Sequence, residues 1–201
     1  MNVGVLVSGS GSNLQALIDS VHREGAPIVA VASDRADAPA LERARAAGIA
    51  VRVFAKADYP GRAARDAALA DWLIASGAEL VVTAGYMALL DAGFIQRFPD
   101  RIVNVHPSLL PAFPGVRAIE QALDYGARVV GVTVHLVDEG VDTGAVIAQR
   151  ALELPPGLTA AEAHALLQPI EHELLPAAVR AFANGVLPRD PTNPRSFPGP
   201  G

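Results

Sequence analysis

The sequence predicts an α/β fold with a mostly parallel central sheet flanked by helices. Short apolar runs rich in β-branched residues alternate with longer amphipathic stretches, which is the pattern of strand–helix–strand units. Hydrophobic residues make up 51% of the chain and aromatic residues 5%, so Val, Ile, Leu and Ala must build the core. Aliphatic strands of this kind are typical of a parallel sheet covered on both faces.

The first half of the chain is expected to alternate strands with helices. Pro39 and Pro60 suit the first position of a helix, where the missing N–H costs nothing. The predicted strands are residues 2–8, 27–33, 51–53, 80–84 and 101–105, and the predicted helices are about 12–23, 39–47, 60–76 and 87–97.

The pattern changes after His106. A loop at residues 106–115 precedes a short helix at 117–124, and strands at 128–137 and 145–151 are predicted to form a C-terminal antiparallel pair. A last helix at about 159–184 opens with Thr159 and Glu162 at capping-box spacing. Within it, Pro169 and Pro176 predict a kink or a break. Residues 188–201 are rich in Pro, Gly and Arg and are predicted to be a flexible tail.

Composition excludes several classes of function. The net charge is −5 and Lys56 is the only lysine, so no basic cluster indicates a nucleic-acid partner. The chain has no cysteine, which excludes disulfides, thiolate nucleophiles and cysteine-ligated metals. Met1 is followed by neither a leader pattern nor an apolar run long enough to span a membrane. We therefore expect a cytoplasmic protein with no membrane partner.

A glycine-rich segment, Ser-Gly-Ser-Gly-Ser-Asn at residues 8–13, follows the first predicted strand and opens a helix. Backbone N–H groups and the helix dipole at such a position favour an anion. The segment lacks the Walker ending and the full spacing of a dinucleotide site, so a phosphate monoester is the favoured ligand. The alternative is an ordinary strand-to-helix turn with Ser12 or Asn13 as the N-cap.

Asn104 and His106 lie two residues apart at the carboxyl end of a predicted strand. Their side chains are expected to share one face, at the end of the sheet where ligands bind. An amide donor beside a group that exchanges a proton near neutral pH suits a tetrahedral intermediate with a developing oxyanion. The rigid segment at residues 107–115, with Pro107, Pro111 and Pro114, favours this interpretation over simple loop-capping polarity.

The third candidate segment is acidic and spans residues 138–144. It lacks the spacing of an EF-hand, so no metal is expected there. Asp138 and Glu139 also fit a solvated turn. A functional Asp142 would orient His106, favour its protonated form and help to pass a proton, although spacing alone does not bring the two together. His135, in an apolar strand pattern, is predicted to be structural.

Five motifs stand out together: Val-Ser-Gly-Ser-Gly-Ser-Asn-Leu-Gln (7–15), Ala-Gly-Tyr-Met (84–87), Asn-Val-His-Pro-Ser-Leu-Leu-Pro (104–111), Gly-Val-Thr-Val-His (131–135) and Asp-Glu-Gly-Val-Asp-Thr-Gly (138–144). Through these motifs the chain resembles, over residues 1–187, the glycinamide ribonucleotide formyltransferases of purine biosynthesis. The resemblance implies one domain with a Rossmann-like formyltransferase fold, whose residues 1–100 hold the phosphate and whose residues 101–187 complete the folate cleft.

The resemblance also implies a reaction and its residues. The formyl group of the co-substrate 10-formyltetrahydrofolate would pass directly to the amine of glycinamide ribonucleotide, with no metal, in a monomer or homodimer. Asn104, His106 and Asp142 match the catalytic trio. The matching substrate-binding residues are Gly11, Ser12, Asn13, Arg62 and Glu171, and the matching folate-binding residues are Met87, Ala88, Leu89, Leu90, Asn104, Val137 and Asp138.

Three positions depart from the family pattern. Many members carry histidine in place of Arg117 and a polar residue near Ile119, and some carry arginine in place of Ala88. These departures bear on affinity and on contacts with the folate tail more than on the reaction.

Two other enzymes and one binding function compete with this interpretation. Methionyl-tRNA formyltransferase and formyltetrahydrofolate deformylase share the Asn-x-His pair and the aspartate loop, but each is expected to carry an additional domain. A non-catalytic nucleotide-binding module would use the glycine-rich segment and leave Asn104, His106 and Asp142 without a role.

Overall fold

The computed structural model describes residues 1–185, in which strands and helices alternate along most of the chain. The predicted tail at 188–201 lies outside the described residues. The strands are β1 (Val3–Val7), β2 (Ile28–Ser33), β3 (Ala50–Val53), β4 (Leu80–Thr83), β5 (Ile102–His106), β6 (Val129–Leu136) and β7 (Val146–Glu153). The helices are α1 (Ser12–Ser20), α2 (Ala40–Ala46), α3 (Arg62–Ala75), α4 (Ala92–Arg97), α5 (Ala118–Tyr125) and α6 (Ala160–Ala183), with a short 3-10 helix at Lys56–Asp58.

The strand order is β3-β2-β1-β4-β5-β6-β7. β1 pairs in parallel with β2 and β4, β2 with β3, and β4 with β5. β6 and β7 are antiparallel. The predicted fold class, with its mostly parallel sheet and C-terminal antiparallel pair, is confirmed.

Backbone contacts divide the chain into two compact units, Met1–Asn104 and the part from Val105 onward. In the first unit β1 lies at the centre, and all five of its residues are buried. In the second unit β6 is buried from Val130 to Leu136, whereas β7 is largely exposed. Buried apolar residues of α6, including Leu167, Leu175 and Val179, contribute to the core of this unit.

The predicted helix at residues 87–97 is wrong in its first part, because α4 begins only at Ala92. Asp91 is its N-cap, and the Asp91 side chain accepts a hydrogen bond of 2.8 Å from the Phe94 N–H. The backbone of residues 87–91 forms hydrogen bonds with side chains of other elements instead of helical bonds. This part of the chain is therefore an irregular segment after β4.

The break expected at Pro169 and Pro176 does not occur, because α6 continues through both prolines. Pro169 removes a helical donor on the exposed side of α6, where a released carbonyl can bond to solvent. Pro176 is buried among apolar neighbours, whose packing offsets the lost hydrogen bond. The capping box of Thr159 and Glu162 is confirmed.

Gly11 allows the glycine-rich segment to pack closely against α2. It has φ +75°, and a Cβ added there would lie 2.6 Å from the Ala40 Cβ and 2.7 Å from its Cα. The Ala40 N–H donates to the Gly9 carbonyl over 3.2 Å, which holds the two segments in register. No side chain fits this approach without moving backbone.

We expect Gly11→Ala to lower the free energy of unfolding by about 2–4 kcal/mol, because it combines left-handed strain with overpacking. Gly9→Ala is the matched control, since a Cβ at Gly9 meets nothing within 4 Å. Urea denaturation of both variants measures the difference. Equal stabilities would contradict the close approach.

Candidate active site

The strand order of the first unit switches from one side of β1 to the other between β1 and β4, which are parallel neighbours. β2 and β3 lie on one side of β1, and β4 and β5 lie on the other. Ligands of open α/β sheets bind beyond the carboxyl ends of the strands at such a switch point. The glycine-rich segment follows β1, and residues 84–91 follow β4, so both segments start from this point.

Ser8 connects these two segments. Its N–H donates to the Gly85 carbonyl over 3.1 Å, and its Oγ accepts a hydrogen bond of 2.8 Å from the Met87 N–H. The same hydroxyl donates to Oδ1 of Asp34 over 2.5 Å. A single buried serine therefore fixes the start of both segments.

α1 begins without a side-chain cap among the described residues. Gly11 occupies the N-cap position, so the alternative of Ser12 or Asn13 as the N-cap is wrong. Gly9 and Ser10 are exposed. The start of a helix favours an anion, because its first backbone N–H groups and the positive end of the helix dipole point in that direction.

Asn104 is held on β5 by Thr83 of the neighbouring strand. The two residues are register partners, and the Thr83 hydroxyl donates to Oδ1 of Asn104 over 2.7 Å. Because the amide oxygen accepts this bond, the amide NH2 of Asn104 is the group that points away from Thr83. Thr83, which the sequence interpretation did not single out, thus orients the predicted oxyanion donor.

His106 ends β5, on the same strand face as Asn104, and is buried. Its Nδ1 lies 3.4 Å from Oδ2 of Asp142, and its Nε2 lies 2.9 Å from the Phe113 carbonyl oxygen. A carbonyl only accepts, so Nε2 carries a hydrogen, and a proton on Nδ1 would face a carboxylate. The doubly protonated ring satisfies both contacts.

Asp142 lies between two histidines, of which the prediction considered only His106 as its partner. Its Oδ2 accepts a hydrogen bond of 2.7 Å from the Gly115 N–H, besides facing His106. Its Oδ1 lies 3.4 Å from Nε2 of His135, whose Nδ1 contacts the Leu136 carbonyl over 2.6 Å. The carboxylate therefore links the residue 107–115 loop, β6 and the end of β5.

The surroundings of Asp142 favour its charged form. Burial alone would raise the pKa of this carboxyl, but His135, the Gly115 N–H and the charge of His106 together hold the pKa below its ordinary value. The ionised carboxylate is consequently the form that faces both histidine rings.

The loop at residues 107–115 has an unusual backbone at Phe113. Phe113 has φ +53°, a conformation that is uncommon for a bulky residue. Strain of this kind persists only where the surrounding structure imposes it. Here it turns the Phe113 carbonyl toward His106.

Thr133 of β6 holds the loop at residues 107–115 in place. Its hydroxyl is buried, donates to the Ser108 carbonyl over 2.7 Å and accepts hydrogen bonds from the Leu110 N–H (3.1 Å) and Nε2 of Gln149 (2.9 Å). The Gln149 amide also donates to the Leu110 carbonyl over 2.9 Å. The loop is therefore anchored to β6 and β7 through side chains.

The remaining predicted residues occupy separate positions in the two units. In the first unit Arg62 begins α3 and is exposed. In the second, Glu171 is buried on α6 with Nε2 of His164 3.8 Å away, and Val137 is half-buried. Asp138 is exposed and accepts hydrogen bonds from the Gly140 N–H and the Thr143 hydroxyl, so it also shapes the loop.

The three residues that differ from the family pattern also differ from one another in exposure. Arg117 has a largely exposed side chain, Ile119 is buried, and Ala88 is half-buried. Across residues 1–185, no group of His, Asp and Glu is arranged to hold a metal ion. None of the helices in that range has the length and apolar character needed to cross a membrane.

Asp142 makes the stability of the fold depend on pH. Because the folded-state pKa lies below the ordinary one, the stabilisation by the ionised carboxylate is complete above about pH 4 and is lost as the pH falls through the folded-state pKa. We expect Asp142→Asn to lower the free energy of unfolding by about 1–3 kcal/mol at pH 7. Below about pH 4 the gap to wild type should shrink. Denaturation across pH measures it, and a constant gap would contradict the assigned pKa direction.

Thr133→Val should lower the free energy of unfolding by about 2–3 kcal/mol, because it leaves the Ser108 carbonyl and the Leu110 N–H without their hydroxyl partner. Thr133→Ser keeps the hydroxyl and is the matched control. Thermal unfolding of the two variants gives the comparison. If valine were tolerated as well as serine, Thr133 would not anchor the loop.

Several known proteins are similar to this chain. Residues 1–179 match the formyl transferase family. The chain is 37% identical over 187 residues to phosphoribosylglycinamide formyltransferase of Haemophilus influenzae, covering 92% of this chain and 88% of that protein. A crystal structure of glycinamide ribonucleotide transformylase 1 from Symbiobacterium toebii superposes with a TM-score of 0.90 at 49% identity, covering 92% of this chain and 88% of that one.

A larger relative matches over only part of its length. The trifunctional purine biosynthetic protein adenosine-3 of Drosophila pseudoobscura pseudoobscura is 42% identical over 191 residues, which are 93% of this chain but 14% of that protein. The family match and the bacterial relative, which is covered over most of its length, agree with this similarity. The chain belongs to the formyl transferase family, among the phosphoribosylglycinamide formyltransferases.

Proposed function

We propose that this chain transfers the formyl group of 10-formyltetrahydrofolate to the amine of glycinamide ribonucleotide in purine biosynthesis. The observation that carries the proposal is the His106 ring, held between the Asp142 carboxylate and the Phe113 carbonyl two residues after Asn104 on one strand. The relatives named as phosphoribosylglycinamide formyltransferases support the same reaction. A module that only bound nucleotides would not need this arrangement.

The reaction is a direct attack without a covalent enzyme intermediate. The neutral amine of the ribonucleotide forms a C–N bond to the formyl carbon, and the carbonyl oxygen becomes an oxyanion. The Asn104 amide and protonated His106 donate to that oxyanion. Collapse of the tetrahedral intermediate breaks the bond to the folate nitrogen, which takes up the proton lost by the amine.

Asp142 acts on this sequence through His106 and through water. Its ionised carboxylate favours the charged imidazole, and it relays the proton from the attacking amine toward the leaving nitrogen. The Phe113 carbonyl accepts the Nε2 hydrogen. For Nε2 to donate to the oxyanion, the Phe113 carbonyl has to give up this hydrogen bond.

The two substrates are assigned to different groups of residues. The start of α1, with Gly11 at the N-cap followed by Ser12 and Asn13, and the exposed Arg62 suit the phosphate of the ribonucleotide, and buried Glu171 suits its amine. The folate ring is assigned to residues 87–90, Asn104, Val137 and Asp138. The exposed side chains of Met87 and Leu89 offer it apolar contact.

We propose a cytoplasmic enzyme that acts on two small molecules, needs no metal, and works as a monomer or homodimer. Residues 1–187 are proposed to act as one formyltransferase domain.

The reaction is tested by incubating the chain with glycinamide ribonucleotide and 10-formyltetrahydrofolate. Formylated ribonucleotide and tetrahydrofolate should form in equal amounts. A parallel reaction with formate and ATP in place of the folate is the control for the donor. Product only in the formate reaction would reject the folate as donor, and product in neither would reject the activity.

Asn104→Ala and Asp142→Asn should each lower kcat by roughly 10²–10³ while the fold is retained, since each removes stabilisation of the oxyanion. Glu139→Gln, which alters an exposed carboxylate in the same loop as Asp142, is the matched control and should keep wild-type turnover. Near-normal turnover in folded Asn104→Ala or Asp142→Asn would contradict the assigned roles. Steady-state kinetics with circular dichroism of each variant gives both readouts.

A further inference from the structure

A buried ion pair lies against the irregular segment that follows β4. Arg65 and Asp66, consecutive on α3, are 5% and 0% exposed. Nε and Nη2 of Arg65 contact Oδ1 of Asp66 over 2.8 and 2.7 Å. A charged pair this deeply buried is not needed to hold a helix together, and an apolar pair often stabilises a core as well.

The outer atoms of this pair bind backbone of residues 84–91. Nη2 of Arg65 donates to the Leu89 carbonyl over 3.1 Å. Oδ2 of Asp66 accepts a hydrogen bond of 2.8 Å from the Asp91 N–H. One ion pair therefore fixes a carbonyl and an N–H that lie two residues apart.

The segment is also fixed at both ends. The Met87 N–H donates to Ser8, and the Asp91 side chain caps α4. Between these points the side chains of Met87 and Leu89 are 72% and 61% exposed. The backbone is thus held from the protein interior while the apolar side chains face outward.

We propose that Arg65 and Asp66 are positioning residues for the folate co-substrate, which they affect by fixing the backbone of residues 87–91. The inference rests on the proposed function, which assigns the folate ring to residues 87–90. Ordering an irregular segment costs conformational entropy. The ion pair orders the segment when the chain folds, so the segment loses little further entropy when the folate binds. This preorganisation raises the affinity for the folate.

The pair is buried and is not among the residues assigned to either substrate, so its effect should be confined to folate binding through the segment it holds. In Arg65→Met/Asp66→Asn, the asparagine oxygen still accepts the Asp91 N–H, and no buried charge is left unpaired. The Leu89 carbonyl loses its donor, and the amide NH2 introduced at position 66 faces a methionine, so circular dichroism checks that the variant is folded. The KM for 10-formyltetrahydrofolate should rise about tenfold, while the KM for glycinamide ribonucleotide and kcat stay within about twofold.

Two further variants make the test specific. Arg65→Lys keeps a positive charge beside Asp66 but lacks the planar fork, so it should raise the folate KM less than the double variant does. Arg97→Met/Asp71→Asn removes an exposed ion pair that joins α3 and α4 in the same unit, and it should leave both KM values unchanged. Hydrogen exchange of the amides at residues 87–91 should become faster only when Arg65 is altered.

The outcomes separate this inference from the proposed function. A folded double variant with a wild-type folate KM, or with equal rises in both KM values, overturns the positioning role. Leu89→Ala alters the proposed binding segment itself. If it raises the folate KM and the double variant does not, only the positioning role fails. If neither Leu89→Ala nor the double variant changes the folate KM, the assignment of the folate to residues 87–90 fails, and the inference fails with it. The same holds if the wild type does not use the folate.

Discussion

The carboxylate of Asp142 is the constraint on which the second unit depends. Its two oxygens face His106, His135 and the Gly115 N–H, which belong to three different parts of the chain. Without the carboxylate, two buried imidazole rings would lie together with no negative charge between them. Ionised Asp142 therefore serves stability and the proposed chemistry at once.

The support for this carboxylate lies in hydrogen bonds to backbone. Thr133 and Gln149 hold the loop whose Phe113 carbonyl meets His106, and Asp138 organises the loop that carries Asp142. The first unit uses the same device, with Ser8 and the Arg65–Asp66 pair holding the segments after β1 and β4. In both units regular strands end where side chains fix irregular backbone, and residues 87–90, Val137 and Asp138, which are assigned to the folate, lie in such segments.

Sequence patterns predicted the parts of the fold that depend on local chemistry. Short aliphatic runs placed all the strands, the spacing of Thr159 and Glu162 placed the start of α6, and the alternation of a strand placed Asn104 beside His106. The predictions failed where distant contacts decide the conformation. α4 starts late because residues 87–91 bond to Ser8, Arg65 and Asp66, and α6 continues through its prolines because packing compensates for them.

The candidate site shows the same limit. Asn104 and His106 carry a chemical signal in their residue types, and Asp142 entered through family resemblance. The Phe113 carbonyl and the Gly115 N–H are backbone groups, and every residue has such groups, so no pattern marks them. His135 fits an apolar strand, which favoured a structural role, yet its ring faces Asp142.

The central claim is that Asp142 acts on the reaction through His106. A double-mutant cycle on kcat/KM with His106→Gln, Asp142→Asn and the combined variant tests it most directly. If the two residues form one unit, each single substitution removes most of the shared stabilisation, and the double variant loses little more than the worse single variant. Losses that add in free energy would show that the two side chains act independently and would contradict the account.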